Sequence, residues 1–350
     1  MQLVHGGDWA GYEAEYGRSA LDFSANVSPL GVPQGVQRAI AAAAVRSDRY
    51  PDPLCRELCA ALAQRENLSP DWILCGNGAA DLIWRLAAAR RPRRALLPAP
   101  AFAEYAAALQ SVGCRIDRYQ LSEKENFTLD PAFLQAVTPE TEMVFLCEPN
   151  NPTGRTTPMP LLLRILDRCC AVGAVLVVDE CFGDFLDDPA AHTLVPQLVR
   201  HPRLVILKAF TKLYAMAGVR LGYALCSDPA LVEQLRGAGS PWSVSSLAQA
   251  AGLAALQENA YVQQVRALVQ TQRPLLEEGL RALGLRVIPG QANYLLFRCT
   301  RPLVVPLKER GILLRSCGNY PGLDDSWYRT AVRTEPENRR LLAALREILS

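Results

Sequence analysis

Leu204-Val205-Ile206-Leu207-Lys208-Ala209-Phe210-Thr211-Lys212-Leu213-Tyr214-Ala215-Met216-Ala217-Gly218-Val219-Arg220-Leu221-Gly222 joins an apolar strand to a chemically loaded turn. The apolar run at its start reads as a strand covered on both faces. A lysine at the mouth of such a strand is costly unless something neutralises or bonds it. Thr211 precedes Lys212, and Arg220 follows eight residues on. That arrangement suits an amine that bonds an aldehyde beside an anchored phosphate. The simpler alternative is a strand-end lysine reaching water, and Lys212 alone would favour it.

Working outward, further apolar runs at Trp72–Cys75, Ala95–Leu97, Met143–Cys147, Ala174–Val178 and Tyr223–Cys226 read as strands. Helical patterns at Ala80–Ala89, Phe102–Val112, Pro158–Ala171 and Pro229–Gly237 alternate with them. This alternation predicts an α/β fold with a largely parallel sheet covered on both faces. From about Leu247 to Leu283 the pattern is helical. Short strands follow at Leu285–Pro289, Asn293–Phe297, Ile312–Arg315 and Trp327–Arg333, then a terminal helix at Pro336–Leu349. That end reads as a smaller α+β unit. The first forty residues fit neither pattern and would join the smaller unit or cover a cleft.

The 350 residues are half hydrophobic, enough for two structural units. A net charge of +2 gives no reason to expect nucleic acid or a membrane surface as partner. No segment has the form of a signal peptide or a membrane span, so a cytoplasmic location is expected. The 11 cysteines are spread through apolar runs without zinc spacing, so packed, reduced thiols and no metal are expected.

Four other segments carry chemistry. Gly76-Asn77-Gly78-Ala79-Ala80 follows a strand and opens a helix, whose free amides suit a phosphate. The turn alone is a weak signal. Asn151, in Glu148-Pro149-Asn150-Asn151-Pro152-Thr153-Gly154, stands at a strand's carboxyl end, where α/β sheets place ligands. Asp179 follows an apolar run and needs a partner such as a protonated pyridine nitrogen; capping the next helix is the alternative. Phe102, in Pro100-Ala101-Phe102-Ala103-Glu104-Tyr105, would stack on a flat ring or simply pack in the core. Beyond these, Arg315 and Arg329 at strand ends match carboxylate and phosphate geometry, and His5 in His5-Gly6-Gly7-Asp8 lies in an N-terminal arm.

In this order the segments resemble the fold type I pyridoxal-phosphate enzymes of the aspartate aminotransferase superfamily. Within it the chain looks like the histidinol-phosphate aminotransferase branch, and there most like the threonine-phosphate decarboxylases of cobalamin biosynthesis. Tyr50-Pro51-Asp52, Asp179-Glu180-Cys181-Phe182-Gly183-Asp184-Phe185, Asn319-Tyr320-Pro321-Gly322-Leu323 and Tyr328-Arg329-Thr330-Ala331-Val332-Arg333-Thr334 add to the likeness, which spans essentially the whole chain. It implies a large domain at 41–257 with a mostly parallel seven-stranded sheet. It implies a small α+β domain formed by 1–40 and 258–350. Pyridoxal 5'-phosphate would be bonded by Lys212, with Asp179 at the ring nitrogen, Asn151 at the ring hydroxyl and Phe102 on the ring face. Its phosphate would rest on Gly78, Ala79 and Ala80, with Thr211 and Arg220. Tyr50 would reach the phosphate of a neighbouring subunit, making the site the property of a homodimer. Arg329 would take the substrate carboxylate; Arg315, with His5 and the stretch around Asn26, would take a substrate phosphate, and Asn151 would border both.

Two positions depart from the superfamily pattern. Phe182 stands where many aminotransferases carry tyrosine, which removes a hydrogen bond to the ring hydroxyl and agrees with the decarboxylases. Cys181 replaces a usual alanine. The resemblance implies decarboxylation of L-threonine O-3-phosphate to (R)-1-amino-2-propanol O-2-phosphate. The alternatives are transamination of histidinol phosphate, decarboxylation of serine phosphate or a phosphono amino acid, and non-catalytic cofactor binding. Which bond at the α carbon breaks depends on how the substrate is held against the ring. The sequence names the anchors and not the tilt.

Overall fold

Alternate residues of the central strands leave on opposite sides into two separate apolar layers, and this determines the architecture. In the computed structural model, which describes residues 5–350, Val144, Leu146, Leu176, Val178, Leu204 and Ile206 enter one layer. Met143, Phe145, Val175, Val177, Val205 and Leu207 enter the other. Both faces of these strands are therefore buried, which is why they read as unbroken apolar runs.

The sheet has seven strands in the order Ile73–Gly76, Gly222–Leu225, Leu204–Ala209, Val175–Asp179, Met143–Cys147, Arg94–Ala99, Arg115–Gln120. All run parallel except Gly222–Leu225, which is antiparallel to both its neighbours. Helices Gly78–Arg90, Ala103–Ser111, Met159–Val172 and Pro229–Gly237 form in the expected places. The edge strand Arg115–Gln120 escapes the sequence pattern because it carries charged and polar side chains and is half exposed. Such side chains are common on edges, where they discourage pairing with another chain.

A second, four-stranded antiparallel sheet has the order Arg315–Ser316, Trp327–Ala331, Tyr294–Arg298, Arg286–Ile288. Helices Asn259–Ala282 and Glu335–Leu349 contact each other, and the latter opens with a capping box of Thr334 and Glu337. The long helical stretch breaks in two, Ser246–Ala255 and Asn259–Ala282. The expected strand Ile312–Arg315 also divides. Ile312–Leu313 pairs in parallel with Leu21–Asp22, and Arg315–Ser316 pairs with Trp327–Ala331. Thus the N-terminal residues, irregular by sequence, contribute a strand that pairs with the C-terminal part of the chain, after a helix at Trp9–Tyr16.

Among the described residues no helix is long and apolar enough to cross a membrane. No cluster of three or more His, Cys, Asp or Glu side chains there is placed to hold a metal. All eleven cysteines are free thiols, most of them buried.

Candidate active site

Three adjacent parallel strands deliver four candidate side chains to one place, because each side chain sits at or just beyond its strand's carboxyl end. Met143–Cys147 leads to Asn151, Val175–Asp179 ends on Asp179, and Leu204–Ala209 leads to Thr211 and Lys212. Ile73–Gly76 leads to the start of the helix Gly78–Arg90. All border a cavity of about 430 Å³. It is also lined by His5, Asn26, Ala79, Ala80, Phe102, Arg220, Arg315 and Arg329. The structure thus gathers nearly every residue singled out by sequence. Gly78 lies one position behind the lining, and Tyr50 stands apart.

Lys212 lies partly exposed to the cavity. Burial, reinforced by the positive charge of Arg329, pushes its amine down to about 8. A substantial fraction is therefore neutral, and nucleophilic, near physiological pH. Its ammonium lies 5.8 Å from the centre of the Phe182 ring. Asp179 is buried; its Oδ1 accepts from the Cys181 amide at 3.0 Å and its Oδ2 from the Tyr105 hydroxyl at 2.6 Å.

The helix start at Gly78 is shaped for an anion. Gly78 has φ +78, and a Cβ there would lie 2.7 Å from the Arg220 guanidinium. Gly222 permits an equally close approach, since its Cβ would lie 2.7 Å from the Ala79 amide nitrogen. Arg220 itself has φ +61, a left-handed conformation that costs a non-glycine residue roughly 1–2 kcal/mol. The strained turn brings its guanidinium against the free amides of the helix.

The far wall is cationic. Arg315 and Arg329 are directly opposite each other on neighbouring antiparallel strands, and both are buried. Arg329 donates to Asn151 Oδ1 at 2.5 Å and to the Ser24 carbonyl at 3.0 Å, both neutral acceptors. Arg315 donates to Asn319 Oδ1 at 2.8 Å and lies over the Tyr320 ring. Like charges facing each other across a sheet are destabilising unless an anion comes between them. Two buried groups at this wall are unsatisfied as well: both polar atoms of the Asn26 amide, and Nε of Arg329. Buried polar atoms without partners beside a cavity mark where a ligand bonds.

At the mouth, His5 Nε2 meets Glu104 Oε1 at 2.7 Å, and the Trp84 indole donates to the other Glu104 oxygen at 2.8 Å. The His5 ring also lies 5.5 Å from that of Phe102. Tyr50 is 81% exposed and tilts against Trp242 at 4.8 Å, outside the cavity of its own chain. Sequence reasoning gave no role to Tyr105, Tyr320, Glu104 or Ser24. The first three lay within or beside quoted motifs, but their partners are distant in sequence. Ser24 contributes a backbone carbonyl, which has no sequence signature.

The donor set fits pyridoxal 5'-phosphate group by group. There is a partly neutral lysine for an aldehyde, a buried carboxylate for a ring nitrogen, an aromatic face at Phe102 and an anion cradle at the helix start.

The model of the aminotransferase class I and II family matches residues 18–345. A threonine-phosphate decarboxylase from Salmonella typhimurium is 44% identical over 94% of this chain and 91% of its own. A histidinol-phosphate aminotransferase from Symbiobacterium thermophilum is 36% identical over 93% and 89%. The crystal structure of a histidinol-phosphate aminotransferase from Clostridium acetobutylicum superposes with a TM-score of 0.88 at 27% identity, covering 94% of this chain and 99% of that one. This chain belongs to the class I and II aminotransferase family.

Proposed function

We propose that this protein is a pyridoxal-phosphate-dependent decarboxylase of L-threonine O-3-phosphate, releasing carbon dioxide and (R)-1-amino-2-propanol O-2-phosphate for cobalamin biosynthesis. The observation that carries the reading is the pair of buried arginines, side by side on neighbouring strands, that line the same cavity as Lys212. A substrate with a carboxylate at one end and a phosphate at the other matches the two guanidiniums of this wall, one anion to each. The 44% identity to a threonine-phosphate decarboxylase, against 36% to a histidinol-phosphate aminotransferase, favours decarboxylation over transamination.

When bound, the cofactor supplies an electron sink for the charge left at the substrate's α carbon. The chain's own residues do the rest. Arg329 and Asn151 would hold the carboxylate, while Arg315, Asn26 and His5 would hold the phosphate, and together they would orient the substrate. Asp179 keeps a proton on the ring nitrogen. Thr211, Arg220 and the amides of Ala79 and Ala80 hold the cofactor phosphate. Lys212 returns a proton to the α carbon after carbon dioxide leaves. Phe182, packed edge-on against Tyr294, offers the ring no hydroxyl. The unit at 41–257 would carry the cofactor, and the unit at 1–40 and 258–350 would bring the arginines. We further propose a cytoplasmic homodimer in which the exposed Tyr50 completes the partner's phosphate site.

The test is a product assay with added pyridoxal phosphate across threonine phosphate, serine phosphate and histidinol phosphate. Carbon dioxide and aminopropanol phosphate from the first substrate are expected. A keto product, formed with 2-oxoglutarate and without gas, would instead establish the aminotransferase reading.

A further inference from the structure

Tyr105 does not line the cavity, yet it is bonded to the carboxylate at its floor. It lies in the first turn of the helix Ala103–Ser111 and is fully buried. Its hydroxyl donates to Asp179 Oδ2 at 2.6 Å, within the range for a bond to an ionised acceptor. Burial and the charge of Asp179 hold its phenol well above the ordinary value of 10, so it stays protonated and can only donate to the carboxylate. The other oxygen, Oδ1, accepts from the Cys181 amide. With both oxygens bonded, the carboxylate has little freedom to turn.

The ring of Tyr105 is itself held. It stacks on Phe145 at 4.9 Å, 16° from parallel, and meets Phe102 edge-on at 5.6 Å. Phe145 comes from the strand that neighbours the one ending at Asp179. Phe102 lines the cavity as the residue just before the Tyr105 helix. One side chain therefore braces both the aromatic face of the site and its carboxylate. A tyrosine that merely filled the core would need a partner for its hydroxyl. It would not need the one acid on which the cofactor's ring nitrogen depends.

We propose that Tyr105 is a positioning residue that fixes the orientation and charge of the Asp179 carboxylate, and so governs how firmly the cofactor's ring is held. This rests on reading the cavity as a pyridoxal-phosphate site.

The test is a double-mutant cycle on cofactor affinity, read by absorbance titration of the cofactor-free protein with pyridoxal phosphate. Tyr105→Phe removes only the hydroxyl. Loss of one hydrogen bond to a charged group predicts about tenfold weaker cofactor binding in the native background. In the Asp179→Asn background the same change is expected to cost less than about twofold, because the charge it serves is gone. Equal losses in both backgrounds, or an unchanged affinity in the native one, would overturn the role of Tyr105 alone. A native protein that fails to bind pyridoxal phosphate would overturn the cofactor reading with it. Should Tyr105→Phe not fold, 3-fluorotyrosine at this position keeps the shape and strengthens the donor. It is expected to move the pH at which bound-cofactor absorption titrates by at least about 0.3 unit. An unmoved titration would overturn the proposal.

Discussion

Lys212, the amine proposed to bond the cofactor, costs the protein stability. A lysine whose folded value is lowered to about 8, from an ordinary 10.5, is penalised in the folded state wherever it is charged. Below pH 8 the penalty is complete; it is relieved as pH rises from 8 to 10.5, where the unfolded chain still holds the proton. Lys212→Met is therefore expected to stabilise the cofactor-free protein by about 2 kcal/mol at pH 7, less than the full shift implies because the amine faces cavity water. Urea unfolding of both proteins across pH 7–11 checks this. The advantage of the variant should shrink toward the alkaline end, and an advantage independent of pH would refute the assigned burial. Activity should vanish in the same variant. Arg315→Ala tests the other wall. Losing a charge-assisted bond predicts a roughly 10–100-fold rise in KM for threonine phosphate, with little change for unphosphorylated threonine. Equal effects on both substrates would move the phosphate site elsewhere.

The turns that present these side chains carry strain and buried charge of their own. Glu148 closes the strand Met143–Cys147 and accepts from the Thr157 amide at 2.8 Å and from the Thr157 hydroxyl, tying down the turn that holds Asn151. Burial nevertheless pushes its carboxyl up to about 7. Between pH 4.5 and 7 the folded protein keeps a proton that the unfolded chain releases, so stability falls as pH rises through that window. Glu148→Gln should remove this slope. The stability difference between variant and native protein is expected to change by about 3 kcal/mol across the window in denaturant unfolding, and a constant difference would argue against a protonated Glu148. The same elements explain what the sequence could convey. Strands buried on both faces announce themselves through apolar runs, and turns after them through Gly, Asn and Pro, so Lys212, Asp179, Asn151 and the Gly78 turn were legible. Arg115–Gln120 and Leu21–Asp22 were not, being respectively a polar edge and a two-residue pairing fixed by a distant partner. The opposition of Arg315 and Arg329 depends on register across 14 positions of chain, and the bond from Tyr105 to Asp179 crosses 74, neither of which any local pattern encodes.

At the scale of the whole molecule, one chain builds a cavity that lacks a predicted contributor. Tyr50 is exposed and packs against the partly exposed Trp242, and large apolar side chains grouped at a surface suit an interface. If Tyr50 serves the neighbouring subunit, two defects on different chains must be able to complement each other. Lys212→Ala removes the amine from a chain's own cavity, and Tyr50→Ala removes the hydroxyl it lends to its partner. Each variant alone should be impaired. Unfolded together and refolded as a mixture, half the dimers would carry one chain of each kind. Every such dimer holds one cavity with both groups intact and one with neither, so roughly a quarter of the native sites should return. Recovery should follow the mixing ratio, peak at equal amounts and be absent when the proteins are mixed without exchange of subunits. If the mixture shows only the average of its components, Tyr50 acts within its own chain or not at all, and the shared site is lost from the account while the chemistry assigned to Lys212 stands.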